Sequence, residues 1–214
     1  MKLITLPLGL LLWAISTTGY SAVTFYTDLA TFNGITSTSI IEDFEAVATK
    51  DTPLSSLSSN GITYTGLAGT PSSNVFVSSS GYTNYGLPSA TTSSILTANG
   101  DEDFRLDFSM AVTELGFDTY LNRFGPAVVS VFGVGGLIGT INHSHASTSI
   151  GFLGMTSTEN ITSLRWTTTN GRSVNTGIDN IRINEVPIPA AAFMFAPALL
   201  GFLGLRRRAK NTIA

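Results

Sequence analysis

Apolar and polar positions divide the chain into three parts. Between Val23 and Ile183, short runs of β-branched and aromatic residues are separated by stretches rich in Ser, Thr, Gly and Asn. In several runs the alternation is strict. Phe104, Leu106 and Phe108 fall on one face, with Arg105 and Asp107 on the other; Ile181 and Ile183 alternate with Asn180 and Arg182. A period of two with one polar face predicts antiparallel strands half exposed to water. The pattern predicts strands over 23–26, 40–44, 62–65, 75–78, 94–97, 104–108, 112–118, 127–134, 137–142, 149–153, 161–168 and 178–183. Turn pairs fall between these runs at Asn60-Gly61, Asn99-Gly100, Gly135-Gly136 and Asn170-Gly171. One short helix is expected over 28–32, capped by Thr27 and ended by Gly34. Many short strands with almost no helix predict an all-β fold, an antiparallel β-sandwich of the jelly-roll kind. The serine-rich stretches 55–59 and 72–80 read as exposed loops inside one domain, residues 23–185.

The two ends follow a different pattern. Residues 1–22 carry one positive charge at Lys2, an apolar run from Leu3 to Ile15, and small residues at Gly19, Ser21 and Ala22. This is the layout of a secretory signal peptide with cleavage after Ser21 or Ala22. The apolar run is shorter than the roughly 20 residues a membrane span needs, which disfavours an uncleaved anchor. At the other end, Val186 to Leu205 carries no charge, and Arg206, Arg207 and Arg208 follow at once. A helix of this length spans a bilayer, and the arginines mark the cytoplasmic side. Lipid-embedded helices tolerate a central proline such as Pro197. The competing reading, a buried core helix, would have to end on three arginines.

Composition narrows the function classes. The 214 residues contain no cysteine, which removes thiol catalysis and thiolate metal sites. The formal charge of −3 hides a segregation. All 14 acidic residues lie between Asp28 and Glu185 with only six basic ones, a net of −8 for that segment. So acidic a body repels a phosphate backbone, and nucleic acid is not an expected partner.

The tail, residues 186–214, combines a proline motif (Val186, Pro187, Ile188, Pro189, Ala190, Ala191), an apolar helix and an arginine cluster. In that order and position it resembles the PEP-CTERM sorting signal, in its V-P-x-P-A-A variant. Ile188 stands where the common form has glutamate. The resemblance implies transient anchoring in the inner membrane of a Gram-negative bacterium and processing near the prolines by an exosortase-type membrane protease. Delivery to the cell surface or extracellular matrix would follow. The translocon and signal peptidase are the implied earlier partners. Motifs in the body also resemble the single-domain ectodomains of such proteins: Asp43-Phe44-Glu45, Gly61-Ile62-Thr63-Tyr64, Leu115-Gly116-Phe117-Asp118 and Ile178-Asp179-Asn180-Ile181.

Several residues are candidates for chemistry. By resemblance to jelly-roll carbohydrate-binding modules, whose first and last strands lie side by side, Glu45 and Asp179 match two carboxylates that hold a structural Ca2+. Calcium takes six to eight hard oxygens, which carboxylates and carbonyls supply. The alternative has Asp179 capping a turn and Glu45 exposed. Asp101, Glu102 and Asp103 read as a solvated turn, since a strand would split them between faces. His143 and His145, the only histidines, have spacing for zinc or copper with a third carboxylate ligand; otherwise they belong to a polar surface loop. Tyr82 and Tyr85 sit in a Gly-Tyr-Thr-Asn-Tyr-Gly loop suited to stacking on sugar, while Trp166 alternates with Leu164 as a core position. No activated serine is evident. Asp43, Glu45, Asp118 and Asp179 are the carboxylates a glycoside hydrolase would draw on. The expectation is an exported, non-enzymatic surface or matrix protein with a structural or adhesive role among exopolysaccharides. A calcium-dependent lectin-like module is the alternative, and a glycan-active hydrolase the third reading.

Overall fold

The structure, a computed structural model, describes residues 23–67, 74–80, 93–99, 103–121, 126–168 and 176–184. These form eleven strands and one short helix: β1 (Val23–Tyr26), α1 (Leu29–Asn33), β2 (Ser39–Glu42), β3 (Ser56–Ser59), β4 (Ile62–Gly66), β5 (Asn74–Ser78), β6 (Ile95–Asn99), β7 (Asp103–Tyr120), β8 (Ala127–Gly133), β9 (Gly136–His143), β10 (Gly151–Thr168) and β11 (Gly177–Ile183). Every strand pairing is antiparallel, so the all-β expectation holds. No helix among the described residues is long and apolar enough to cross a membrane.

Two 18-residue strands, β7 and β10, organise the sheet. Near their first and last residues respectively they pair through Phe104↔Trp166, with β4 and β3 on one side and β8 and β9 on the other. Their other halves pair through Leu115↔Met155, flanked by β1 on one side and by β11, β6 and β5 on the other. β2 joins the free edge of β11 beyond β6. The two halves face each other. Phe104 and Phe117 are thirteen residues apart, about 43 Å of straight strand at roughly 3.3 Å per residue. Yet Phe104 stacks on Trp166 at 6.0 Å and Phe117 meets the same ring edge-on at 6.2 Å. β7 therefore bends sharply, and β10 bends with it at register shifts around Ile161.

The layers enclose the core that alternation indicated: Phe104, Leu106, Val129, Val131, Leu164, Ile181 and Ile183 are all buried, as is Trp166. The indole Nε1 of Trp166 donates to Thr176 Oγ1 at 2.8 Å, so its polar edge is satisfied inside the core. The outward side of the β11–β7–β10 layer is covered by α1. Gly116 and Gly154, cross-strand partners, leave the room that the Phe32 and Phe152 rings occupy; a Cβ on Gly154 would lie 2.6 Å from Phe32.

Four expectations need correction. The predicted strands 104–108 and 112–118 are one strand, as are 149–153 and 161–168, because hydrogen bonding continues through the bends with changed partners. Neither 55–59 nor 72–80 is simply an exposed loop: Ser56–Ser59 pairs with β4 across the Asn60-Gly61 turn, where both residues have positive φ (47° and 76°), and Asn74–Ser78 is the largely buried β5, paired with β6. Phe44 lies outside β2, at φ 56° in a turn. The helix N-cap is Asp28, not Thr27: its carboxylate accepts the Thr31 N–H at 2.7 Å.

Candidate functional site

The polar residues with the most unusual environment gather around β11. Asn180 occupies left-handed backbone (φ 51°) where the β11–β7 register shifts between Asp179 and Arg182, a bulge that an asparagine accommodates readily. The bulge turns Asn180 and Arg182 toward Asp118 on β7. Asn180 Nδ2 donates to Asp118 Oδ2 at 2.8 Å and to Asp179 Oδ2 at 3.2 Å, and Arg182 Nη1 donates to Asp118 Oδ1 at 2.9 Å. Asp179 is wholly buried. Its carboxylate also accepts the Ser93 hydroxyl at 2.6 Å and the Asn180 N–H at 2.6 Å. Burial pushes Asp179 up to about 6, with Asp118 and Asp43 adding to the rise; the Ser93 and Asn180 bonds oppose it. Beside it, burial pushes Tyr120 up to about 12.

A second carboxylate approaches through the turn after β2. The buried Glu42 accepts the Phe44 N–H at 2.8 Å, and the Phe44 ring is anchored edge-on against Tyr64 at 5.4 Å. With Phe44 turned inward, Asp43 and Glu45 face out. Glu45 accepts the Ser94 N–H at 2.7 Å, the Ser94 hydroxyl at 3.1 Å and Lys50 Nζ at 3.2 Å. The Ser94 N–H is the main cause of its lowered pKa.

Glu45 and Asp179 thus bind consecutive residues, Ser94 and Ser93. β2 lies directly beside β11, with Glu42 opposite Ile181, so the last strand runs along one of the first. Both carboxylates are bound by protein donors. The residue that faces Asp179 across the strands is Asp118, its register partner. Sequence reasoning named Asp118 only as one carboxylate among four. Its place in the Leu-Gly-Phe-Asp motif, set against Ile-Asp-Asn, was the available signal. Among the described residues no three His, Cys, Asp or Glu side chains form a group that could hold a metal ion.

The other candidates separate. Asp103 is not part of a solvated turn: it opens β7 and takes both Nε and Nη2 of Arg165, at 2.8 and 2.6 Å. His143 is not in a surface loop either; it ends β9 with its ring in the core, edge-on to Trp166 at 6.5 Å. Residues 1–22, Tyr82, Tyr85, Asp101, Glu102, the motif Val186, Pro187, Ile188, Pro189, Ala190, Ala191, and Arg206, Arg207 and Arg208 lie outside the described residues. Comparison with protein-family models and with known proteins returned no match.

Proposed function

We propose that this chain is an exported surface or extracellular-matrix protein, released from a transient membrane anchor by an exosortase-type protease and serving a structural or adhesive role among exopolysaccharides. The observation that carries the reading is the order of the last 29 residues: the Val186–Ala191 proline motif, an uncharged run to Leu205, then Arg206–Arg208. A proline-rich stretch stays extended and open to a protease just outside the bilayer. The leader at residues 1–22 supplies export, and the acidic, cysteine-free body suits an extracellular jelly roll that needs no redox chemistry. Replacing Pro187 and Pro189 by alanine in the native host tests this. The reading expects the protein to accumulate in the inner-membrane fraction; unchanged surface delivery contradicts it.

A calcium-dependent glycan-binding module is the second reading. The buried Asp179, with its raised carboxyl and Asp118 opposite, favours it, because a divalent cation would relieve that repulsion. Asp179 and Glu45 are the carboxylates proposed for the ion, and Tyr82 and Tyr85 for the sugar. Glycan-array binding that disappears with chelator and in Tyr85→Ala supports it; binding indifferent to both removes it. A hydrolase needs an acid and a second carboxylate flanking a bond, and Asp118 is instead tied to Arg182 and Asn180.

A further inference from the structure

We propose that the free edge of β9 is a homodimer interface, at which β9 pairs antiparallel with its own copy in a second chain.

Among the described residues β9 is hydrogen-bonded on one side only, to β8, and ends the sheet. An unpaired strand offers a row of N–H and C=O groups to another strand, and proteins ordinarily blunt such edges. Other edges of this sheet are blunted. β2 and β3 are four residues long, and β2 ends on Glu42. β5 is covered by the segment before β3: the Asp51 N–H donates to the Val77 carbonyl at 2.8 Å, and Leu54 and Val75 exchange both backbone bonds at 2.8 Å. β9 has eight residues, with no proline and no Asp, Glu, Lys or Arg. Its one irregularity, the register shift opposite Val131 and Phe132, lies near the turn and leaves Gly139–His143 regular.

β1 lies beneath β9 on the same flank of the sandwich. A Cβ on Gly139 would stand 3.0 Å from Val23 and 3.3 Å from the Phe25 ring, and among the described residues β1 pairs only with β10. The flank is apolar. Val23, Phe25, Ile138 and Ile141 are only partly buried on it. At the hairpin tip Val134 and Leu137 are 87% and 61% exposed, more than any other large apolar residue described.

Charge and size both favour a second copy as the occupant. The body carries a net charge of −8, so two copies repel wherever their acidic surfaces meet. This flank is the exception: no Asp, Glu, Lys or Arg occurs between Arg123 and Glu159, and none in β1. Eight residues at roughly 3.3 Å each make an edge about 26 Å long, and two layers about 10 Å apart, with their side chains, make it about 20 Å thick. The pair would then bury about 1,000 Å2 in total, enough for a specific interface. Antiparallel pairing of identical strands is two-fold symmetric, so association closes at two chains.

Thr140 gives the test. It is exposed near the middle of β9, so in such a pair it stands close to its own copy across the two-fold axis. Sedimentation equilibrium of the full chain in a mild detergent is compared with that of Thr140→Lys and Thr140→Glu. Wild type should be dimeric, and like charges brought together should weaken each variant's self-association about tenfold or more. An equimolar mixture of the two variants should recover dimers, because Lys then faces Glu. That recovery shows both variants folded, and an association through the apolar tail would not produce it. A monomeric wild type, as for an edge that takes its strand from another protein, overturns the proposal. So does a dimer indifferent to both substitutions, or a mixture that associates no better than its parts.

Discussion

Asp118 and Asp179 stand directly opposite one another on neighbouring strands, and Asp179 is fully buried. Like charges in that position repel. Arg182 and Asn180 compensate Asp118, whereas Asp179 is left with the Ser93 hydroxyl and the amide groups of Asn180. Burial raises its carboxyl to about 6, with the charge of Asp118 a smaller addition.

The sign of the linkage follows. Between about pH 4 and 6 the folded chain keeps a proton on Asp179 that the unfolded chain has released, so this residue's contribution to stability falls as pH rises through that window. Asp179→Asn should therefore be more stable than wild type at pH 7 by on the order of 2 kcal/mol. Urea unfolding at pH 4.5 and 7.5 measures it. If the site takes Ca2+, saturating calcium should narrow the gap at pH 7 by stabilising wild type alone.

His143 works in the opposite direction. Its pKa is depressed to about 4, so the unfolded chain takes up a proton first and stability falls as pH drops from about 6.5 toward 4. In wild type this opposes the Asp179 effect; in Asp179→Asn the opposition is gone, and unfolding free energy should decline steadily toward acid, with Glu45, whose pKa is lowered, adding to the fall. The fluorescence of Trp166, the one tryptophan within residues 23–185 and a neighbour of His143, reports the same event. Quenching by the protonated imidazole should have its midpoint near 4.

The glycine pair beneath α1 gives a packing prediction. Gly154→Ala places a methyl 2.6 Å from Phe32 and 2.8 Å from Phe152, so one ring must leave its position. The expected cost is about 1–3 kcal/mol, typical of overpacking. Phe32→Leu in the same chain should recover part of it, giving a measurable coupling in a double-mutant cycle of thermal unfolding.

The fold was legible where alternation was clean. Phe104–Phe108 and Ile178–Ile183 announced their inward residues, and Asn60-Gly61 announced its turn. Reading failed where partners rather than composition made the strand. Ser56–Ser59 has one apolar residue, Leu57, and is a strand because β4 lies beside it. Polar Ser157–Asn160 looks like an end, yet it lies inside β10, where the strand exchanges neighbours. At the carboxylate site, Glu45 and Asp179 stood out as motif residues. Asp118 acquires its role only through cross-strand register, and Ser93 and Ser94 are two serines in a serine-rich chain. Burial of His143 could not be read from its polar neighbours, because Thr119, twenty-four residues earlier, supplies its partner.

The sorting account has one direct test, the intact mass of the protein released from the cell surface. Removal of residues 1–22 and a C-terminus within or close to the Pro187–Pro189 motif is the predicted result. A released protein still ending at Ala214 would contradict the account.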